Sequence, residues 1–527
     1  MIIRGASRCC SKLRPTLVRP ISRYGQQCCR RYSTPPSHTP PASNSMSSGG
    51  MLAPFTNELD KIAPSFNISG SQIHIIKTPT DFYETLKARI RSAKKRIFLS
   101  TLYIGKSEKE LIETLQDALR ANPELKLSIL TDALRGTREA PDPSCASLLA
   151  PLITEFGPER VEIRMYHTPN LTGLRKKHIP KRINEGWGLQ HMKLYGVDDE
   201  IILSGANLSN DYFTNRQDRY HLFSSSDVTN YFWGLYQGVT SLSFLVQPAV
   251  DEAAGFRLHW PSTNAAPSPL ERPSEYVSKA TKLVNSLIAP KDTKPSSLSP
   301  HDTTVYMLGQ LSQLMKPDTS TELPAITHVL KTLGSSEYTG SSWTFTAGYF
   351  NPAPSLTNLL LSTASQNNVV ITASPYANGF YKSKGVSGLL PDAYTLLARR
   401  FLRAIKERKQ DSTVILKEWR RGTVNEPGGW TYHAKGLWIT LPHEHDPSMS
   451  IIGSSNYTKR SYSHDLEAGA LIVTRDPDLK KRLGDEQKWL QEYASPVTLD
   501  DFAKTERRVG LQVRIAMWIV SLVGGAL

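Results

Sequence analysis

One small set of polar residues occurs twice in this chain, and the repeat restricts the fold to one built from two similar halves. The first copy is His191-Met192-Lys193, then Ser204-Gly205-Ala206-Asn207, then Asp218. The second is His433-Ala434-Lys435, then Gly453-Ser454-Ser455-Asn456, then Glu467. In both, the acid follows the asparagine by eleven residues. A bare His-x-Lys triplet is weak, since a chain with 13 His and 63 Lys+Arg contains about one by chance. The surroundings repeat as well. Asn184-Glu185-Gly186-Trp187 precedes the first triplet, and Asn425-Glu426-Pro427-Gly428-Gly429-Trp430 the second. Further upstream, apolar runs from Arg96 and from Trp343 each end near a tyrosine, Tyr103 or Tyr349. A helical run (Glu108 to Arg120; Ser355 to Ser365) and a second strand (Leu125 to Thr131; Val369 to Ser374) follow in each case. Tyr103 precedes His191 by 88 residues and Tyr349 precedes His433 by 84. Matching order at matching spacing reads as two copies of one domain, and alternating strands and helices as an α/β layered sheet in each.

Charge and cysteine use divide the chain further. Residues 1–33 hold seven arginines, one lysine and no acid, and without these eight cations the formal charge falls from +15 to +7. An Arg- and Ser-rich, acid-free start has the composition of a mitochondrial transit peptide; a basic tail binding an acidic partner is the alternative. Cys9, Cys10, Cys28 and Cys29 lie in that segment, so only Cys145 remains, which excludes a disulfide framework or a cysteine zinc site. Residues 34–54 read as a disordered Pro/Ser/Gly linker, 55–261 as the first domain, and 262–302 as a Pro/Ser-rich linker with room for a helix from Glu275 to Ile288. The second domain is placed at 303–500. In the tail, 501–527, Ile515 to Leu527 carries no charge but is too short to span a bilayer. It reads as an interfacial anchor or as a core helix.

Two incomplete half-sites that meet would surround a phosphate with two histidines, two lysines and two asparagines. Extended chain puts residues i and i+2 on one face, so His191 and Lys193 point together, as do His433 and Lys435. The lysines suit phosphate oxygens as point charges, and Asn207 and Asn456 offer amide donors. One imidazole attacks phosphorus while the other handles protons. Asp218 and Glu467 suit the other ring nitrogens, fixing tautomer and orientation. The scheme requires no metal and no cofactor.

On these motifs the chain resembles the phospholipase D superfamily, whose HxK(x)4D signature His191, Lys193 and Asp198 match in full. Within it, the chain is most similar to the branch that moves a phosphatidyl group in mitochondria. That likeness rests on Leu189–Tyr220, Trp343–Pro352, Ala373–Gly388, His433–Thr440 and Ile451–Ala468, and covers most of residues 71 to 490. The resemblance implies two tandem phospholipase D-like α/β/α sandwich domains related by a pseudo-twofold axis, with the active site at their interface. It implies transfer from CDP-diacylglycerol to glycerol 3-phosphate with release of CMP, the entry to mitochondrial phosphatidylglycerol and cardiolipin. It places the protein in the mitochondrion, peripheral on the inner membrane. His191, in the fuller motif, is assigned as nucleophile and His433 as general acid/base.

The chain departs from the signature in two places. The second copy has Thr440 where the signature has aspartate, and a hairpin loop six residues longer, in which Asp446 is a candidate for the turn. The first copy has Gly205-Ala206-Asn207 where the superfamily has Gly-Ser-x-Asn. Arg216, Arg219, Lys459 and Arg460 are candidates for the second phosphate of the acceptor. The basic stretch Arg175 to Arg182 is a candidate for anionic lipid headgroups. His443, Glu444, His445 and Asp446 read as a solvated turn rather than metal ligands. A cardiolipin or phosphatidylserine synthase, a nuclease or phosphodiesterase of the same superfamily, and a non-catalytic lipid-binding scaffold are the competing readings. The modest charge beyond residue 33 and the apolar tail argue against a nucleic-acid partner. Two intact His-x-Lys triplets argue against the scaffold. Oligomeric state is not legible in the sequence.

Overall fold

The computed structural model describes residues 48–181, 183–290 and 302–522. The transit-like segment, most of the first linker and residues 523–527 of the tail lie outside them. Two nine-stranded mixed sheets carry the fold. In space the first runs Ile73–Ile76, Tyr220–Phe223, Glu200–Ser204, Leu194–Val197, Arg96–Ser100, Lys126–Asp132, Val161–Tyr166, Phe244–Pro248 and Phe256–His259. The second runs Ser65–Ile68, Thr303–Gln310, Glu467–Thr474, Met449–Gly453, Lys435–Thr440, Ser342–Ala347, Asn368–Ala373, Val414–Trp419 and Ala494–Pro496.

The two orders repeat around the hairpin that follows each His-x-Lys triplet. Its first strand lies antiparallel to the upstream apolar strand. That strand pairs in parallel with the next, and the next with a third. The strand after or containing the acid closes the other side of the hairpin. All six residues of Lys435–Thr440 and all eight of Glu467–Thr474 are buried, as expected of strands covered on both faces. Helices Pro79–Ser92, Lys109–Ala121 and Cys145–Phe156 cover the outer face of the first sheet. Ser48–Ile62, Glu322–Thr332, Pro354–Leu360 and Leu390–Glu407 cover that of the second. Between the sheets lies a shared core. Met192, Leu203 and Tyr236 from the first half meet Ala434, Trp438 and Ile452 from the second, with helices Ser226–Thr240, Pro273–Ile288 and Pro477–Trp489.

The expected domain edges shift in consequence. The first linker was expected to reach residue 54 and the first domain to begin at 55, but helix Ser48–Ile62 and strand Ser65–Ile68 belong to the second half. Leu52, Phe55 and Leu59, at helical spacing, are buried against Ile326, Val329 and Tyr338. Ser65–Ile68 then pairs antiparallel with Thr303–Tyr306. The span 262–302 likewise contains a packed helix, Pro273–Ile288, with Tyr276, Ala280, Val284 and Ile288 buried at four-residue intervals. The tail does not leave the body at 501 either, since Phe502 is buried and Arg507 is ion-paired with Glu418. Among the described residues no helix is long and apolar enough to cross a membrane.

Candidate active site

Two short bridges between the halves position the histidines. Thr431–Tyr432 pairs in parallel with Arg216–Gln217, and the His433 amide donates to Gln217 O at 2.8 Å. Gln190 pairs in the same sense with Leu466, and the His191 amide donates to Leu466 O at 2.9 Å. Each bridge carries a histidine from one half and, one residue further on, the acid of the other half. The carboxylates therefore cross over. His191 Nδ1 lies 2.9 Å from both oxygens of Glu467, and His433 Nδ1 lies 2.6 Å from Asp218 Oδ2. With Nδ1–H held by a carboxylate, the lone pair of each neutral ring is on Nε2.

All these groups are buried, and their charges follow from burial and neighbours. Desolvation, with Lys193 and other cations behind it, holds the His191 imidazole well below its usual range. Desolvation and Lys435 lower His433 to about 3, against the pull of Asp218. Desolvation pushes Glu467 up to about 7, although Lys193 and the Ser454 hydroxyl oppose it. Burial works against the charge on Asp218 too, but Lys435, His433 and the Arg219 amide outweigh it and keep its pKa low. The two acids are therefore unequal. Both lysines are lowered by desolvation, Lys193 the more strongly. Lys193 Nζ donates to His191 O at 2.6 Å, and Lys435 Nζ donates to His433 O at 2.7 Å and to Asp218 Oδ2 at 3.4 Å. A Cβ at Gly205 would lie 2.5 Å from Lys435 Nζ and 2.8 Å from Asp218 Oδ1. The glycine makes room for that pair, whereas Ser454, at the corresponding place, donates its hydroxyl to Glu467.

The other residues singled out in the sequence divide. Asn207 Nδ2 donates to Tyr212 Oη at 3.2 Å, and Tyr212 Oη is 3.5 Å from His433 Nε2, so this asparagine reaches the site through the tyrosine. Asn456 Oδ1 is shielded from solvent and has no hydrogen-bond partner among the described residues. Arg216 lies beside His433. Its guanidinium stacks on Tyr212, donates to Thr431 Oγ1 at 2.9 Å and pairs with Asp211 at 3.0 Å. Arg460 lies on the His191 side, paired with Asp465 at 3.1 Å.

Four expectations need correction. Asp198, expected with His191 and Lys193 among the catalytic residues, is not at the site. It occupies a left-handed turn (φ 50°) and accepts backbone amides from Lys94, Lys95 and Arg96 at 2.7–3.0 Å. In the second half Asp446 does not take that place, lying instead against helix Pro477–Trp489 near Lys488. The corresponding strand is held by Asn368, whose side chain accepts from the Trp343 amide at 3.0 Å. Arg219 is not a phosphate ligand, because its fully buried guanidinium is paired with Glu486 at 2.8 Å and stacked on Trp438. Lys459 is exposed at the start of the short helix Lys459–Ser463.

Residues to which the sequence pattern gave no role complete the surroundings. Asp132, pushed up to about 7 by burial, accepts the Gln190 amide at 2.9 Å, and Asp465 accepts that of Leu189 at 3.1 Å. Together they fix the chain just before His191. Tyr212 and Tyr349 stand edge-on to the His433 ring, with centroids 5.2 and 5.1 Å away. The near-repeat of Tyr103 and Tyr349 was the one available signal; the acids sit at strand and loop ends, where no spacing rule marks them.

Known proteins are similar to the chain along most of its length. No family model matches the chain. The chain is 45% identical over 487 residues to the CDP-diacylglycerol--glycerol-3-phosphate 3-phosphatidyltransferase of Saccharomyces cerevisiae, covering 89% of this chain and 92% of that one. It is 35% identical over 489 residues to the Homo sapiens protein of the same name, there called mitochondrial, covering 86% and 83%. The crystal structure of phosphatidylserine synthase from Haemophilus influenzae Rd KW20 superposes with a TM-score of 0.68 at 18% identity, over 89% of this chain and 96% of that one. The last likeness concerns the fold, and it agrees with the phospholipase D-like α/β architecture expected above. With such identity along nearly the whole length of its relatives, the chain belongs to the CDP-diacylglycerol–glycerol-3-phosphate 3-phosphatidyltransferase family.

Proposed function

We propose that the chain transfers the phosphatidyl group of CDP-diacylglycerol to glycerol 3-phosphate, releasing CMP, at a single site formed by both halves. The names of its relatives support this substrate pair, and the step opens phosphatidylglycerol and cardiolipin synthesis. The observation that carries the chemistry is the crossed pairing of His191 with Glu467 and His433 with Asp218. His191 Nε2 attacks the phosphatidyl phosphorus. The P–O bond to CMP breaks, and the phosphatidyl group stays on the ring as a phosphohistidine. His433 serves the protons, giving one to the departing CMP oxygen and taking one from the attacking hydroxyl of glycerol 3-phosphate. That oxygen then displaces His191 Nε2 from phosphorus, and the free imidazole returns.

The unequal acids support these roles. A histidine that must hold a proton for donation is best served by a firmly ionised partner, as Asp218 is, whereas His191 begins the attack as a neutral ring that Glu467 orients. Incoming phosphates would offset the Lys193, Lys435 and Arg216 charges that disfavour a cationic His433. Arg216, next to His433, fits the acceptor's own phosphate better than Arg219 or Lys459. The scheme requires no cofactor. The naming of the human relative as mitochondrial supports a mitochondrial location. A lipid substrate and the absence of a spanning helix among the described residues favour peripheral attachment to the inner membrane, on an anionic surface. The reciprocal bridges and repeated strand order favour a pseudo-twofold relation of the halves.

The test mixes the full chain with CDP-diacylglycerol and labelled glycerol 3-phosphate in detergent micelles. Label should enter the lipid phase and be lost in His191→Ala and in His433→Ala. With label on the phosphatidyl phosphorus instead, His433→Ala should trap it on the protein in an acid-labile linkage, and His191→Ala should not. Trapping in His191→Ala alone would reverse the two roles. No CMP release under any condition would refute the reading.

A further inference from the structure

Helix Leu390–Glu407 joins the active site to a second feature. Near its start Tyr394 stacks on Tyr349, with centroids 5.6 Å apart, and Tyr349 stands edge-on to His433. Further along, Arg399, Arg400 and Arg403 form one wall of a groove of about 450 Å³. Arg514, Ile515 and Trp518 of helix Leu511–Leu522 line the other wall. Tyr394 and Arg403 are separated by about 13 Å at 1.5 Å of rise per residue.

Among the described residues the groove is lined by four guanidinium groups and no acid. Arg399 Nε is shielded from solvent and has no hydrogen-bond partner among the described residues. Guanidinium forks match phosphate oxygens geometrically, and four cations facing one groove repel one another until an anion enters. Helix Leu511–Leu522 adds a second requirement. At 100° per residue Val513 and Met517 share one face, and both are buried beside Ala393. Leu511, Ile515 and Trp518 share the opposite face and are 68, 49 and 61% exposed. The helix carries no acid. An outward apolar stripe above arginines, with a tryptophan in it, suits the interface of an anionic bilayer. A nucleic acid would satisfy the arginines but leave Leu511 and Ile515 against water.

We propose that this groove binds the phosphate of an anionic phospholipid headgroup, with Leu511, Ile515 and Trp518 in the interfacial layer of the bilayer. The bilayer is thereby held along the helix that walls the His433 side of the site. This deepens the phosphatidyl-transfer reading and rests on it, since the lipid substrate arrives from that surface.

The experiment is flotation of the full chain with vesicles of phosphatidylcholine, with and without phosphatidylglycerol. The chain should float with the mixed vesicles and not with phosphatidylcholine alone. Replacing Arg400, Arg403 and Arg514 together by Gln should lower partition onto mixed vesicles about fivefold per residue. Replacing the same three by Lys should preserve it, which excludes simple misfolding. The Gln variant should keep its transfer activity in non-ionic micelles and lose it on mixed vesicles. Partition of the Gln variant equal to that of the unaltered chain would overturn the proposal. So would release from the vesicles by inorganic phosphate at matched phosphorus concentration, or tighter arginine-dependent binding of a single-stranded oligonucleotide. An unaltered chain that floats as expected but transfers nothing in micelles would refute the transfer reading, and binding would stand by itself.

Discussion

Asp218 and Glu467 occupy corresponding positions, yet one is held ionised and the other is pushed up to about 7. An amide can imitate a protonated carboxyl, which accepts from an imidazole N–H through its carbonyl oxygen, but it cannot imitate a carboxylate beside an imidazolium. Asp218→Asn is therefore expected to lower kcat about 10³-fold, and Glu467→Gln less than about tenfold. Steady-state rates of both variants in micelles check this, and an equal loss in both would contradict it. At this scale the sequence revealed the residue types that carry chemistry, because two histidines, two lysines and two acids recur at fixed offsets. It did not separate Arg216 from Arg219, three residues apart and of the same type. Which one faces the site depends on a cross-half ion pair: Arg219 is committed to Glu486, 267 residues away in the chain. No local pattern encodes such a partner. Gly436 marks the same commitment, with φ 152° and a missing Cβ that would collide with the Arg219 guanidinium.

Among the elements, the smallest do the positioning. The strand Arg216–Gln217 has two residues, and through its pairing with Thr431–Tyr432 it sets both Arg216 and Asp218 beside His433. Arg216→Ala should raise KM for glycerol 3-phosphate about 10- to 100-fold, the loss expected for a charge-assisted contact. KM for CDP-diacylglycerol should change much less, and Lys459→Ala should change neither. Initial rates with each substrate varied in turn decide it. The turn at Asp198 has a different kind of importance. Asp198→Ala leaves three backbone amides without their acceptor, so unfolding should become easier by about 2 kcal/mol with kcat per folded molecule unchanged. Denaturant titration alongside the rate assay tests both parts. Strands and helices around the triplets were legible because their apolar periodicity is strong. Helix Pro79–Ser92 opens on a capping box between Thr78 and Asp81. Proline, lacking an N–H, suits the first helical position.

Across the whole molecule, the halves are joined by a buried network as well as by a core. Glu486 accepts from Arg219 Nε and Nη2, from His221 Nε2 and from the Trp438 indole N–H. Burial opposes its charge, but Arg219 and His221 prevail and hold its pKa at about 2, against an ordinary 4.5. A depressed carboxyl pKa contributes stability above the ordinary value, and that contribution disappears as pH falls through the folded value. Glu486→Gln should destabilise the chain by about 3–5 kcal/mol at neutral pH, and the difference should shrink between pH 4.5 and 2. Chemical unfolding at a series of pH values measures it. The duplication was legible at this scale, because a repeat needs only order and spacing. The entry of Ser48–Ile62 and Ser65–Ile68 into the second half was not. Nothing within those residues indicates that their pairing partner begins at Thr303.

The crossing of the carboxylates has a consequence for heredity. Position 191 answers to 467 and position 218 to 433, so substitutions are judged in pairs that straddle the chain. A change at either acid is felt by the histidine of the other repeat, and a compensating change is sought there.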